Sequence, residues 1–488
     1  MRSSAVLAFA LAACASDPQA QVADPSTPRR PLNVIVMMAD DLGYGELGCY
    51  GQQKVRTPNL DRLAAEGMRF TQAYSGAPVC APARCVLLTG RHSANAEVRG
   101  NREVQPEGQF PIAADQVTLA EAMRDAGYAT AAIGKWGLGP VGSSGDPNAQ
   151  GFDLFYGYNC QREAHSYYPG HLWRNAERVE LNGGVRVPGH AKLSPNDTDH
   201  EFAAFTGEDY APDSMLAEAQ RFLIEHQDQP FFLYLPFVEP HLAMQPPQAW
   251  VDRYPAEWDD EPYLGRRGYT PHPRPRAGYA AMISDLDEHV GTILAQLDEL
   301  GLSQDTLILF TSDNGPTHDV GGVDTDFFQS AGPLRGRKGS VYEGGLRVPL
   351  IARLPGVVPA GSTSHHLCAF QDVMGTLVEF SGSPVPIDCD SVSFLPTLTG
   401  HGTQAEHEYL VWEFHGYGGQ KAVRIGDWKA VLRNIHRGND AIELYDLSVD
   451  IAESNDVAAE HPELVARARE IFETDRTPSE AFPMEAFD

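Results

Sequence analysis

Three short apolar runs constrain the fold of this 488-residue chain more than any other feature of its sequence. The run in "LNVIVMMADDLGYG" covers residues 32–39 and stops at Asp40 and Asp41. A second, in "PFFLYLPFVEPH", stops near Glu239 and His241, and a third, in "DTLILFTSDNG", stops at Asp313 and Asn314. Each is apolar throughout instead of alternating, and each is short for a helix. Such runs are predicted as strands buried on both faces, the condition of a parallel sheet covered by helices.

Helical segments separate them. "TPNLDRLAAEGMRF" reads as a helix capped by Asn59, with Leu60, Leu63 and Ala64 at helical spacing. "GYAAMISDLDEHVGTILAQLDELG" puts Met282, Ile283, Leu286, Val290, Ile293, Leu294 and Leu297 on one stripe, stopped by Gly301. The alternation indicates α/β architecture. A site in such a sheet lies beyond the carboxyl ends of the strands, where all three polar clusters sit.

After about Ser381 the texture changes. "EYLVWEF", "KAVRIGDWKAVLR" and "IELYDL" read as short antiparallel strands, followed by a helix in "HPELVARAREIFE". The expected division is a catalytic domain over residues 31–380 and a smaller C-terminal α+β domain over residues 381–488. Residues 1–30 read as an export signal and tether. "MRSSAVLAFALAACAS" has one Arg, a short apolar stretch and small residues, and "LAAC" reads as a lipobox that would place a lipid on Cys14. Ordinary cleavage without lipidation is the alternative. The expected location is the periplasm, or the outer membrane as a lipoprotein. Seven cysteines leave one disulfide plausible in an oxidising compartment but form no disulfide framework.

A formal net charge of −29 excludes nucleic acid as a partner, because a polyanion is repelled. An anionic small substrate remains open if basic groups are concentrated in one pocket. Asp40, Asp41, Asp313 and Asn314 offer four hard oxygen ligands with three negative charges, suited to Ca²⁺ or Mg²⁺ and poor for zinc. Either pair alone reads more simply as turn and cap residues. Lys135 in "GKWGLG", after a strand expected over residues 128–133, and Lys338 in "RGRKGSVYEGGLRVP" sit in Gly-rich loops that permit close backbone approach to a ligand. His241 is a candidate general acid, although a lone His is more often a structural hydrogen-bonder. In "GAPVCAPARCVLLTG", Pro82 suits the first turn of a helix that would place Cys80 at its N-terminus, with Arg84 one turn on.

"CAPAR" followed by "LLTGR" matches the Cys-x-Pro-x-Arg signature of type I sulfatases, and the chain resembles that family, which is arylsulfatase A-like and alkaline-phosphatase-like. "ADDLGYGELGCYG", "PNLDRLAAEG", "GKWGLG", "SDNG" and "RGRKGSVYEGGLRVP" follow in the family's order. The resemblance implies a large mixed, mostly parallel sheet sandwiched by helices, with an antiparallel sheet in the C-terminal part. It implies that a formylglycine-generating maturation enzyme oxidises Cys80 to formylglycine (3-oxoalanine). The hydrate of that group would attack the sulfur of a sulfate ester, and its second hydroxyl would then expel sulfate.

By the same resemblance, Asp40, Asp41, Asp313, Asn314 and the modified Cys80 would hold the metal, usually Ca²⁺, with Mg²⁺ as the other choice. Arg84 would orient the diol, Lys135 and Lys338 would neutralise the sulfuryl group, and Lys338 or His241 would protonate the leaving oxygen. One departure stands out: the family's "GKWHLG" has its His replaced by Gly137, with His165 or His92 as candidate substitutes. His165, in a segment rich in aromatics, and Trp412 and His415 in "WEFHGYGGQ" are candidates for contacting substrate. The expected substrate is a small-molecule or oligosaccharide sulfate ester, with carbohydrate preferred over aryl sulfates. The alternatives are a phosphonate or phosphate monoester hydrolase of the same superfamily, or a surface lipoprotein that binds sulfated glycans at an inert site.

Overall fold

All three apolar runs form strands of one sheet, and two further strands complete a parallel centre. A computed structural model describes residues 32–197, 199–383 and 389–488; the export signal, Cys14 and the tether lie outside the described residues. The central strands are β1 (Asn33–Ala39), β2 (Ala129–Lys135), β3 (Leu154–Tyr158), β4 (Phe231–Pro236) and β5 (Thr306–Ser312). They run parallel in the spatial order β5-β1-β4-β2-β3. Antiparallel Leu350–Arg353 extends the sheet beyond β5, followed by Met68–Phe70 and Ser362–Ser364; His171–Arg174 and Glu177–Glu180 extend it beyond β3. Among the described residues the mixed sheet has ten strands.

Six helices matter to the argument: α1 (Pro58–Ala65), α2 (Cys80–Thr89), α3 (Ala211–Glu225), α4 (Pro275–Glu299), α5 (Gln371–Ser381) and α6 (Pro462–Thr474). Alternate residues of β1 enter two separate cores. Ile35, Met37 and Ala39 pack with Met282, Ile283, Leu286 and Val290 of α4 and with Met215 and Phe222 of α3. Val34, Val36 and Met38 pack on the other face with Ala83, Val86 and Leu87 of α2 and with Val373, Met374 and Leu377 of α5. Burial on both faces explains why the runs are apolar without alternation, each large side chain contributing roughly 1.5–3 kcal/mol.

Two local readings are corrected. Thr57 precedes the first turn of α1, where Pro58 leads, and Asn59 lies inside the helix. Its amide instead donates to Asp287 of α4 at 3.0 Å. Strand β2 runs on to Lys135, so that lysine ends a strand instead of sitting in the loop after it. Continued pairing of Gly134 and Lys135 with Gly157 and Tyr158 of β3 carries the ladder past the expected stop.

The four-stranded antiparallel sheet comprises β6 (Leu410–Phe414), β7 (Gln420–Ile425), β8 (Trp428–Arg433) and β9 (Glu443–Asp446). Helix α6 covers one face through Ala468, Ile471 and Phe472. The other face, with Trp412 and Val431, packs on Tyr74, Val79, Val341 and Leu346 of the main body. The described residues form one compact unit. Cys49, Cys80, Cys85, Cys160 and Cys368 are free thiols, and no helix among the described residues is long and apolar enough to cross a membrane.

A buried ion cluster ties the antiparallel sheet to the main body. Lys429 of β8 reaches Glu343 at 2.8 Å and Glu453 at 3.2 Å, all three fully buried. Burial pushes the Glu343 carboxyl up, but Lys429, Arg347 and Arg424 outweigh it and hold it at about 2. Lys429→Ala would leave Glu453 without a cation and Glu343 with only its arginines, and is expected to destabilise the protein by about 3–5 kcal/mol, read from the urea unfolding midpoint.

Candidate active site

Every central strand delivers a polar residue at its carboxyl end. Ala39 of β1 is level with Ser312 of β5, so Asp40 and Asp41 stand beside Asp313 and Asn314. The ladder continues past the strands: the Asp313 N–H donates to the Ala39 carbonyl and the Asp40 N–H to the Glu239 carbonyl, both at 3.0 Å. β2 contributes Lys135, the turn after β4 contributes His241, and the loop after β3 contributes Asn159, Gln161 and His165.

Cys80 is the first residue of α2 and is 1% exposed. Its Sγ lies 3.3 Å from Asp40 Oδ1 and 3.9 Å from Asp41 Oδ1. Burial, Asp313 and Asp40 push the thiol pKa well up, so the arrangement disfavours a plain thiolate. Arg84, one helical turn on, does not bond back to Cys80. Its Nε and Nη2 donate to Asp313 Oδ2 at 3.1 and 2.7 Å, and its Nη1 donates to the Lys135 carbonyl at 2.5 Å. One guanidinium thus joins the ends of β5 and β2 to the helix that carries Cys80.

The carboxylates are matched by cations. Lys135 Nζ donates to Asp40 Oδ2. Burial raises the Asp40 carboxyl, and Lys135, His241, Arg84 and Lys338 outweigh it to hold it well below the usual range. Lys338 Nζ donates to Asp41 at 2.9 Å. Its loop is fastened on both sides, Lys338 N–H to the Pro316 carbonyl at 2.9 Å and Gly339 N–H to the Pro78 carbonyl at 2.7 Å. Asp41 adopts φ +67°, a left-handed conformation that Asp tolerates better than most residues, and its N–H donates to Asp313 Oδ1 at 3.1 Å.

Asp41 Oδ1 also accepts from Asn314 Nδ2 at 2.8 Å, while Asn314 Oδ1 is buried with no hydrogen-bond partner. Ligand atoms of Asp40, Asp41, Cys80 and His241 all lie within 4.8 Å of one another. Three carboxylates and an orphaned amide oxygen form a hard oxygen set, and those residues fit a Ca²⁺- or Mg²⁺-type cation.

His241 Nε2 is 3.6 Å from Asp41 Oδ2, and its Nδ1–H donates to the Leu242 carbonyl at 2.5 Å. Burial and Lys338 push its pKa well below normal, with Asp40 opposing, which leaves Nε2 with a lone pair facing the site. His165 stacks on His241. His92 is engaged elsewhere: its Nε2 lies 3.2 Å from Asp475 Oδ1, and its N–H donates to Asp390 at 2.9 Å.

The space at Gly137, which has φ +85°, is taken by Gln161, whose Nε2 would lie 2.5 Å from any Cβ there. Gln161 Nε2 and both amide atoms of Asn159 are buried and unpartnered. Nothing in "NCQREAH" distinguished Gln161 beforehand, because only the backbone turn at Gly137 brings it there.

His415 lines a groove of about 520 Å³ with Val79, Asn101, Arg102 and Tyr417, beside the start of α2, and its Nδ1–H donates to the Pro483 carbonyl at 2.6 Å. Trp412 is buried against Tyr74 and donates to the Ser75 carbonyl at 2.9 Å, a packing role instead of a contact with substrate.

The family model described as Sulfatase matches residues 32–383, and the one described as N-sulphoglucosamine sulphohydrolase, C-terminal, matches residues 337–473. The chain belongs to the sulfatase family. It is 32% identical to the N-acetylgalactosamine-6-O-sulfatase of Bacteroides thetaiotaomicron, over 91% of this chain and 93% of that protein. It is 33% identical to human arylsulfatase A, over 82% of this chain and 75% of that protein. A crystal structure of Ps i-CgsB in complex with k-i-k-neocarrahexaose superposes with a TM-score of 0.74 at 26% identity, covering 92% and 94% of the two chains. The alkaline-phosphatase-like fold and a sulfuric ester hydrolase of arylsulfatase type follow.

A partly buried cluster supports the sulfatase site from behind, with His289 and Glu239 buried and Asp213 exposed. His289 of α4 lies 2.8 Å from Glu239 Oε1 and 3.3 Å from Asp213 Oδ1, and Glu239 holds Asp40 through its carbonyl. Burial lowers the His289 pKa, but Asp213 and Glu239 outweigh it and raise it to about 10. The folded value lies above the unfolded one, so this stabilisation is complete below pH ~6.5 and is lost as pH rises through about 10. The stability difference between the native chain and His289→Gln is expected to shrink steadily from pH 7 to pH 10, measured by chemical denaturation.

Proposed function

We propose that this sulfatase hydrolyses the sulfate ester of a sulfated carbohydrate, using formylglycine derived from Cys80 and one divalent cation, Ca²⁺ in preference to Mg²⁺. The observation that carries this reading is the position of Cys80 at a helix start, 3.3 Å from Asp40, where three buried carboxylates and three buried cations meet. Asp40, Asp41, Asp313 and Asn314 would hold the cation. When bound, the two groups supply a geminal-diol oxygen as nucleophile and a Lewis acid beside it.

The chain's own residues do the remaining work. Arg84 keeps residue 80 and Asp313 in fixed relation through its paired donors. Lys135 and Lys338, both buried, offset the charge of the sulfuryl oxygens. Lys338 Nζ, on a loop tied to Pro78 and Pro316, donates the proton to the leaving oxygen. His241, with its Nδ1–H committed to a carbonyl, holds its Nε2 beside the same oxygen.

Carbohydrate is favoured because one relative is named for N-acetylgalactosamine 6-sulfate and a solved neighbour carries a carrageenan-type oligosaccharide. Export, a lipid on Cys14 and a formylglycine-generating partner complete the reading, supported by the N-terminal sequence and the "CAPAR" signature.

Protein co-produced with its maturation enzyme is expected to show a loss of about 18 Da on the peptide containing Cys80. It should release sulfate from a sulfated monosaccharide faster than phosphate from the matching phosphate ester. Cys80→Ala should retain the fold and lose turnover by more than about a thousandfold. Equal or faster phosphate release would reject the reading.

Treatment with a chelator should lower turnover at least about tenfold, with Ca²⁺ restoring it better than Mg²⁺. Elemental analysis should find one ion per chain.

A further inference from the structure

Beside His241 the chain assembles a wall of rings. His165 stacks on His241 with 4.9 Å between centroids and 18° between planes. His190 is 5.6 Å from His165, and Tyr269 stacks on His190 at 4.7 Å and 25°. Tyr269 also meets His165 at 5.5 Å and stands edge-on to His241 at 6.1 Å. Two segments distant in sequence pair to bring His190 and Tyr269 together: Ala191 N–H donates to the Tyr269 carbonyl at 3.2 Å and Leu193 N–H to the Leu264 carbonyl at 3.1 Å.

The hydrogen bonds set a direction through the rings. Tyr269 N–H donates to His190 Nδ1 at 3.0 Å, so neutral His190 carries its proton on Nε2. That nitrogen lies 3.4 Å from His165 Nδ1. His165 then carries its proton on Nε2, which is its remaining donor. Burial, together with His241, Lys135 and Lys338, lowers the pKa of His165 and keeps it neutral.

Tyr269 adopts φ +61°. A bulky aromatic in the left-handed region costs about 1–2 kcal/mol that glycine would avoid. The surrounding structure enforces that conformation, stacking the ring on His190 and setting it edge-on to His241.

We propose that His165, His190 and Tyr269 form the subsite for the sugar ring of the leaving group, a role that rests on the sulfatase reading above. The tilted rings line the space beside His241, and His165 Nε2–H donates to a sugar hydroxyl. A planar aryl ester has no hydroxyl for that donor and leaves it unpaired, so the wall discriminates between the two classes of sulfate ester.

The test compares N-acetylgalactosamine 6-sulfate with 4-nitrophenyl sulfate on formylglycine-bearing protein. Wild type should hydrolyse both. In Tyr269→Gly and in His165→Ala, kcat/KM should fall about 10–100-fold further for the sugar ester than for the aryl ester. Tyr269→Gly should lower the melting temperature only modestly, because relief of the left-handed backbone offsets part of the lost ring packing, and its turnover of the aryl ester should stay near wild type, which separates loss of a substrate contact from loss of packing. Equal losses on both esters, or no loss on the sugar ester, overturn the subsite and leave the sulfatase reading standing. A wild type that cleaves only the aryl ester has the same result. A wild type that cleaves neither overturns the sulfatase reading, and the subsite with it.

Discussion

Three carboxylates and three cations share one water-poor volume, and the rest of the molecule is arranged around that balance. Asp40, Asp41 and Asp313 face Arg84, Lys135 and Lys338, all six essentially buried. An isolated charge at such depth costs many kcal/mol, and each of these is compensated within a few ångströms. This also resolves the apparent conflict between a protein of charge −29 and an anionic substrate. The acidic excess lies elsewhere; the six side-chain charges of the site cancel, and the divalent cation proposed there would leave it positive enough to receive a sulfate.

The sheet makes the balance possible because five parallel strands end at one level. A one-residue slip of β1 against β5 would turn the Asp40–Asp41 pair away from Asp313 and Asn314. Two cores of alternating β1 side chains oppose that slip, one beneath α4 and one beneath α2 and α5. Arg84 adds a direct tie, since one side chain bonds both Asp313 and the Lys135 carbonyl. Fold and site are therefore stabilised by the same contacts.

Much of this was legible in the sequence. The apolar runs gave their strands away because burial on both faces leaves no polar alternation to confuse them. The polar residues that close those runs marked the site, and the helix start at Cys80 followed from Pro82. The four-stranded sheet and α6 were also readable from local pattern. What escaped was tertiary in origin. Lys135 belongs to a strand because β3 pairs with it, and Asn59 lies inside its helix because Pro58 takes the first turn and Asp287 receives its amide. Gln161 fills the space at Gly137, and Tyr269 reaches the site only through loop pairing. No local signal in "NCQREAH" or "RRGYTPHP" encodes either placement. His92 and Trp412 were plausible by residue type, yet both are committed to other partners.

The fastening of the Lys338 loop to Pro78 has a consequence for timing. Residue 80 is sealed by groups that emerge from the ribosome more than two hundred residues after it, Asp313 and Lys338 among them. Any partner that must handle that sulfur therefore meets a deadline set by synthesis and collapse, and a chain that folds too soon is locked out of its own chemistry.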